Sequence, residues 1–331
     1  MELVQAILES EKQSVKEFLS KFNLEYRPVS YTVYAVENDK ILGTVSLSGN
    51  LIMLLAVDKS AQGENLALKL CDHVISKLRE QGIFGYKVFT KPEYLPLFIS
   101  MGFNLLVEGS DFIALEGGEC NVKKTVNDLK TKVIMEFGTI DQDTAGIVIN
   151  GNPFTNGHLA LCEYALKKHS RLILFVLKED LSEFSFKERF SLAFLATRAF
   201  GERVSVLPST DYIVSRSTFP DYFIKDCDKL TRAFAEYDAK VFEKYFMSEL
   251  GIVKRYFGEE TTEYMQVYNQ TVKNVLKEKV EIVERFCLND KVISAKEVRK
   301  LLKNGKTNEA LVLVPQSTRA VLNLINSTKK W

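Results

Sequence analysis

Two short stretches carry residue types that could do chemistry together. The first is Asn152-Pro153-Phe154-Thr155-Asn156-Gly157-His158, which follows the apolar run Gly146–Asn150 by one residue, Gly151. A tight turn of Gly, Asn and Pro at the carboxyl end of a strand turns main-chain N–H groups towards a ligand. The helix expected next adds the positive end of its dipole, so the place suits an anion. Gly157 lets the backbone approach closely, and His158 falls in the first helical turn, facing the same space. The second stretch is Ile293-Ser294-Ala295-Lys296-Glu297-Val298-Arg299. Ser294 is a good N-cap, and Arg299 lies one turn and a half along the helix it opens. Each stretch alone has an ordinary reading. Asn-Pro and Asn-Gly are common turn formers, a single histidine is more often structural, and a capped surface helix accounts for Ser294. Two such junctions about 135 residues apart make coincidence a poor explanation.

The elements that must position these residues follow from periodicity. From Ala145 onward strands (146–150, 172–177, 204–207, 253–257, 280–286) alternate with helices (157–169, 186–200, 227–250, 262–278). Alternation of this kind implies a parallel sheet with crossover helices, whose ligands bind beyond the carboxyl ends of the strands at the switch in strand order. The front half reads differently. Residues 1–22 show helical spacing, with Val4, Ile7, Leu8, Val15, Phe18 and Leu19 on one face. Strands at 31–36 and 41–47 flank the polar group 37–40 as a hairpin, a third strand spans 51–57, and a helix runs from about 64 to 81. Further strands are expected at 86–90, 104–107 and 112–115, with a short helix at 94–101 between the first two of them. This is a mixed α+β pattern. Gly117–Asn121 interrupts it, so the expected division is a domain at 1–118, a connector at 119–143 and a second domain at 144–331.

Composition narrows the class. The chain has 331 residues, 44 basic and 43 acidic, for a net charge of +1. That balance gives no electrostatic footprint for nucleic acid. No apolar run approaches the roughly 20 residues that span a bilayer, and the first residues lack the pattern of a signal peptide. The five cysteines are widely spaced and odd in number, without zinc-ligand spacing, which suits reduced thiols in a cytoplasmic protein.

The string ending Thr155-Asn156-Gly157-His158 resembles the Thr/His-x-Gly-His signature of the nucleotidylyltransferase (HIGH-type) superfamily. The string from Ile293 to Arg299 resembles that superfamily's Ile-Ser-x-Thr-x-x-Arg motif. The sequence departs from the pattern at Asn152, often Asp in the superfamily, and at Lys296, which replaces a threonine. Asp211-Tyr212-Ile213-Val214-Ser215-Arg216-Ser217-Thr218-Phe219-Pro220-Asp221-Tyr222-Phe223 is similar to a stretch of the citrate lyase ligase family, as are Arg255–Glu260 and Tyr268-Asn269. Leu55–Ala67 resembles the pyrophosphate loop of GNAT acetyltransferases, with Asn65 where glycine is usual, and Tyr94–Phe103 resembles a later helix and turn of that fold. The resemblance therefore implies an α/β protein: a GNAT-like mixed domain followed by a doubly wound parallel-sheet nucleotidylyltransferase domain.

The resemblance also implies roles. His158, Thr155 and Arg299 would be the catalytic groups, stabilising charge at the α-phosphate and on the departing pyrophosphate. Asn150, Gly151, Asn152, Pro153, Phe154, Gly157, Ser294 and Lys296 would bind ATP. Arg189, in a segment similar to the one before the superfamily's second helix, either faces the phosphates or pairs with a carboxylate. Mg²⁺ would arrive with ATP, since no carboxylate cage is evident. The implied partners are acetate and the acyl carrier subunit of citrate lyase, with neither nucleic acid nor membrane. A CoA-like group is implied at the front domain, which either catalyses acetyl transfer or docks a partner. Two other readings stand beside this one: an adenylyltransferase with a phosphate acceptor, similar to pantetheine-phosphate adenylyltransferase, and a non-catalytic CoA- or nucleotide-sensing protein.

Overall fold

The computed structural model describes every residue except 64, 141, 179–181, 214–218, 260–261, 289–290 and 330–331, and only the main chain of 288 and 291. Ser215, Arg216, Ser217, Thr218 and Glu260, which carry part of the family resemblance, lie outside the described residues. The chain forms two compact units. The first comprises 1–121 and 220–233, and the second 122–219 and 234–331.

In the first unit the order is β1 (Glu2–Gln5), α1 (Glu9–Ser20), β2 (Tyr31–Glu37), β3 (Lys40–Ser48), β4 (Leu51–Val57), α2 (Leu66–Glu80), β5 (Gly85–Thr90), α3 (Leu95–Ser100), β6 (Asn104–Glu108) and β7 (Ile113–Gly118). The sheet runs β1-β2-β3-β4-β5-β7-β6. Asn38 and Asp39 close the β2–β3 hairpin with φ of 49° and 57°, the paired left-handed geometry that a two-residue hairpin turn needs. The stripe of α2 packs as its spacing requires, with Leu66, Leu70, Val74 and Leu78 buried against Val33, Val45 and Leu115. Residues 2–5 are not helical. Pairing with β2 from Glu2↔Val36 to Gln5↔Val33 wins over local helical spacing, and α1 starts at Glu9.

The second unit contains α4 (Val122–Phe137), β8 (Thr144–Ile149), α5 (Asn156–Lys168), β9 (Arg171–Val176), α6 (Phe186–Thr197) and β10 (Val204–Pro208). Later come α7 (Cys227–Val241), of which 227–233 belong to the first unit, a π-helical stretch (Phe242–Met247), α8 (Ser248–Leu250), β11 (Ile252–Gly258), α9 (Glu263–Leu276) and β12 (Val280–Val283). The hairpin β13 (Cys287–Leu288) and β14 (Lys291–Val292) leads into α10 (Ala295–Lys303), α11 (Thr307–Val312) and α12 (Arg319–Thr328). Its sheet is parallel in the order β10-β9-β8-β11-β12. Succession goes one way from β8 to β10 and the other way from β11 to β12, so the switch lies between β8 and β11, beside the turn that follows β8. The strand expected at 280–286 stops at Val283, because the hairpin at 287–292 takes over.

One polar cluster lies deep in this unit. Arg255 on β11 and Asp238 on α7 form a fully buried ion pair with Nη1–Oδ2 of 2.8 Å, and Tyr268 donates to the same carboxylate at 2.6 Å. The Arg255 guanidinium sits between the rings of Phe242 and Phe257, 4.2 and 4.5 Å from their centroids. Burial, then the neighbouring Asp238, raises the Tyr268 phenol well above its ordinary value, so it stays a donor. Asp238→Ala strands a buried cation and is predicted to cost about 3–5 kcal/mol in urea unfolding. A loss under about 1 kcal/mol would contradict this account of the cluster.

Candidate functional site

The turn after β8 is built from main-chain geometry outward. Gly151 takes φ of +63°, a conformation costly for any side-chain-bearing residue, and Asn152–Pro153 is a cis peptide. Phe154 is fully buried in the core, its ring 5.3 Å from that of His158. Thr155 then caps α5. Its backbone N–H donates to His158 Nδ1 at 3.0 Å, and its Oγ1 lies 2.9 Å from the same nitrogen. An Nδ1 that accepts from a backbone N–H carries no proton, so the ring proton of the neutral form is on Nε2. Burial pushes the His158 imidazole down to about 4, keeping it neutral near pH 7. Nε2 has no hydrogen-bond partner among the described residues and is left to donate to a ligand.

The second stretch meets the first directly. Ser294 is the N-cap of α10, its hydroxyl accepting from the Glu297 N–H at 3.2 Å. A Cβ on Gly157 would stand 3.4 Å from the Ile293 carbonyl oxygen, so the two helix starts are adjacent. Arg299 Nη1 donates to the carbonyl of Asn152, joining α10 to the turn across 147 residues. Lys296, in the first turn of α10, is exposed and makes no ion pair among the described residues. Two dipole-positive helix ends, one neutral imidazole N–H and one unpaired ammonium group thus gather at the switch point of the sheet. The arrangement fits an anion of several charges.

A residue that the sequence reading passed over organises the rim. Glu183 accepts from Asn152 Nδ2 at 3.1 Å and pairs with Arg299 Nε at 3.1 Å and Lys303 Nζ at 3.3 Å. Burial works to raise its pKa, but the Asn152 amide, its own backbone N–H, Arg299 and Lys303 outweigh that and bring it down to about 2. The amide oxygen of Asn152 meanwhile accepts from the Phe184 N–H at 3.0 Å. An aspartate at 152 would face Glu183 as a like charge, which is a physical reason for the neutral residue. The available signal was the Ser185–Glu188 capping box opening α6: Ser185 accepts from the Glu188 N–H at 3.4 Å, and the Ser185 N–H donates back to Glu188 at 2.7 Å. It places Glu183 in the loop after β9, on the same side of the sheet as the turn.

Other expected site residues lie away from the crevice or at its margin. Arg189 is fully buried. Its Nε donates to the Phe184 carbonyl at 3.0 Å, and its Nη1 donates to those of Asn150 and Leu177 at 2.8 and 2.7 Å. It clamps strand ends and does not face the crevice. Phe154 supports the turn from the core. Asn150 exchanges hydrogen bonds with Ser182 at 3.1 and 3.3 Å, at the margin of the site. Among the described residues no group of three His, Cys, Asp or Glu is placed to hold a metal ion. No helix among them is long and apolar enough to cross a membrane.

The first unit has a cavity of its own, of about 540 Å³. Its walls include the end of β4, the start of α2 with Gln62, Gly63 and Asn65, and α3. Asn65 adopts φ of +56°, the left-handed conformation that asparagine tolerates best among side-chain-bearing residues. Glu64 lies outside the described residues.

Fold and site together define a protein of two parts: a mixed sheet with a cavity beside a helix start, and a doubly wound domain with two helix starts joined at its switch point. Comparison with known proteins agrees part by part. The family described as Citrate lyase ligase C-terminal domain matches residues 144–322, and the one described as Acetyltransferase (GNAT) domain matches residues 6–113. The chain is 32% identical over 314 residues to the [Citrate [pro-3S]-lyase] ligase of Escherichia coli (strain K12), covering 91% of this chain and 87% of that protein. It is 32% identical over 310 residues to the protein of the same name from Haemophilus influenzae, covering 89% and 88%. A solved putative acetyltransferase of the GNAT family from Desulfovibrio desulfuricans is 16% identical, covering 35% of this chain and 98% of that one, with a TM-score of 0.30. The chain belongs to the citrate lyase ligase family and is an enzyme of the ligase class.

Two outcomes test the geometry. Asn152→Asp places a second carboxylate against Glu183 and is predicted to cost about 1–3 kcal/mol at pH 7. Part of that loss should return below about pH 5, as the strained pair takes up a proton. A variant as stable as the parent at both pH values would contradict the contact. Nitrogen-15 NMR of His158 should show an Nε2–H neutral ring down to about pH 5 and a midpoint near 4. Because its folded pKa lies below the unfolded 6.5, its contribution to stability is complete above pH 6.5 and is lost as pH falls through about 4. A midpoint near 6.5 would contradict the buried, accepting Nδ1.

Proposed function

We propose that the second unit joins acetate to AMP and passes the acetyl group to a thiol on the citrate lyase acyl carrier subunit, activating the lyase. In the first step a carboxylate oxygen of acetate attacks the α-phosphorus of ATP, the bond to the β-phosphoryl oxygen breaks, and pyrophosphate leaves. In the second step the thiol of the carrier's CoA-derived prosthetic group, giving up its proton, attacks the acetyl carbonyl, and AMP departs with the former carboxylate oxygen. The protein supplies position and charge stabilisation in a reaction of this kind.

The observation that carries the reading is the His158 ring, held neutral with Nε2–H outward, at a helix start that adjoins the start of α10. In this assignment His158 Nε2 donates to the α-phosphate, where charge grows in the transition state, and the Thr155 hydroxyl turns its proton from Nδ1 to the same phosphate when the nucleotide binds. The Ser294 end of α10 and Lys296 hold the β- and γ-phosphates. Gly151, Asn152, Pro153 and Gly157 shape the floor on which the triphosphate lies. Arg299 reaches the departing pyrophosphate by exchanging Glu183 for phosphate oxygens, while its bond to the Asn152 carbonyl keeps the two halves in register. Mg²⁺ comes with the nucleotide, held by phosphates and water, which is the usual habit of this ion at nucleotide sites. Five cysteines that form no disulfide among the described residues fit work in a reducing cytoplasm.

The test is pyrophosphate release with and without acetate. The parent enzyme should release it only with acetate present, and His158→Ala should lose about a hundredfold or more in kcat. Release that is indifferent to acetate but dependent on a phosphopantetheine acceptor would favour the adenylyltransferase reading. An unimpaired His158→Ala would remove the role given to the imidazole.

A further inference from the structure

The first unit contains a buried contact that bears on what its cavity accepts. β4 and β5 run parallel and are paired at Leu51↔Lys87 and Ile52↔Val88, and the register extends no further. Beyond that point Leu54 takes φ of +57°, where a leucine is strained, and the β3–β4 register shifts beside it, between Thr44↔Ala56 and Ser46↔Met53. Two strands that part in this way leave main-chain donors and acceptors facing each other across the gap. One side chain takes a group from each strand. The Tyr222 hydroxyl donates to the Phe89 carbonyl and is hydrogen-bonded by the main chain of Leu54. Tyr222 belongs to the segment 220–233 that the chain returns to this unit, is 5% exposed, and with Phe223 forms part of the cavity wall.

The rest of the wall says what could enter. Among the described lining residues the one charged side chain is Lys91; no carboxylate, histidine or cysteine joins it. Lys91 makes no ion pair among the described residues, and the start of α2 lies on the same cavity, so phosphate has both a cation and a helix end. The remaining surface is mostly apolar, as a long amide-linked arm requires. That described lining offers no carboxylate or imidazole as a base for an incoming nucleophile. A thioester carbonyl entering the gap would bury an acceptor at a cost, because Tyr222 already takes the Leu54 main-chain group that could meet it.

We propose that this cavity binds a phosphopantetheine-type arm in its free-thiol form, and that Tyr222 is the residue that rejects the acylated form. The unit then distinguishes the unacylated carrier, which the reaction consumes, from the acetylated carrier, which it produces. The inference rests on the reading that a CoA-derived group meets the first unit.

CoA and acetyl-CoA serve as probes, titrated calorimetrically into the full-length enzyme with saturating ATP to fill the second unit. The parent should bind CoA about tenfold or more tighter than acetyl-CoA. Tyr222→Ala should bring the two affinities within about twofold, and Tyr222→Phe, which removes the hydroxyl and keeps the ring, should narrow the ratio without unfolding the unit. Lys91→Ala should weaken both probes alike. Equal affinities in the parent, or a ratio unchanged in both Tyr222 variants, would overturn the inference while leaving the CoA-derived group in place. Failure of both probes to bind the parent would remove that group from the first unit, and the inference with it.

Discussion

The second unit depends on a single convergence. α5 and α10 begin at the ends of different strands and far apart in sequence, yet Gly157 lies so close to Ile293 that a Cβ would touch its carbonyl oxygen at 3.4 Å. Arg299 holds the junction by donating to the carbonyl of Asn152. A sheet of order β10-β9-β8-β11-β12 makes the meeting possible, because its switch point leaves room beside the first turn. The polar groups then follow from that placement. Thr155 and His158 satisfy each other, and this leaves Nε2 as donor. Glu183 collects Asn152, Arg299 and Lys303, so the rim is ordered before any ligand arrives.

The electrostatic design is economical. An imidazole driven down to about 4 by burial carries no charge near neutral pH, so it costs little to enclose and still donates. Net positive potential comes from helix ends and from Lys296, while the charge of Arg299 is balanced by Glu183. The buried Arg255–Asp238 pair shows the opposite solution. There a full charge is enclosed, with a carboxylate and two aromatic faces around it, and it serves the fold.

Much of this was legible in the sequence because parallel buried strands read as apolar runs and helix starts carry their own chemistry. The turn 152–158, the Ser294 cap and the strand–helix alternation were readable for those reasons. What escaped was long-range. Residues 2–5 have helical spacing, and their pairing with Val33–Val36 is invisible in one sequence. Arg189 reads as either a phosphate ligand or a carboxylate's partner, since a sequence cannot show that it reaches the carbonyls of Phe184, Asn150 and Leu177. Glu183 has no local mark, because its role comes from Asn152, Arg299 and Lys303. The aromatic stretch that carries the family resemblance divides: Tyr212 and Ile213 stay with the second unit, whereas Tyr222 and Phe223 line the cavity of the first. Part of that aromatic stretch therefore shapes the first unit's cavity.

The central claim is that a carboxylate oxygen attacks the α-phosphorus of ATP at the joined helix starts. Oxygen-18 in both carboxylate positions of acetate follows that bond directly. The account predicts one labelled oxygen in the AMP released on complete turnover with the carrier, and none in pyrophosphate. Label in pyrophosphate, or AMP without label, would contradict it.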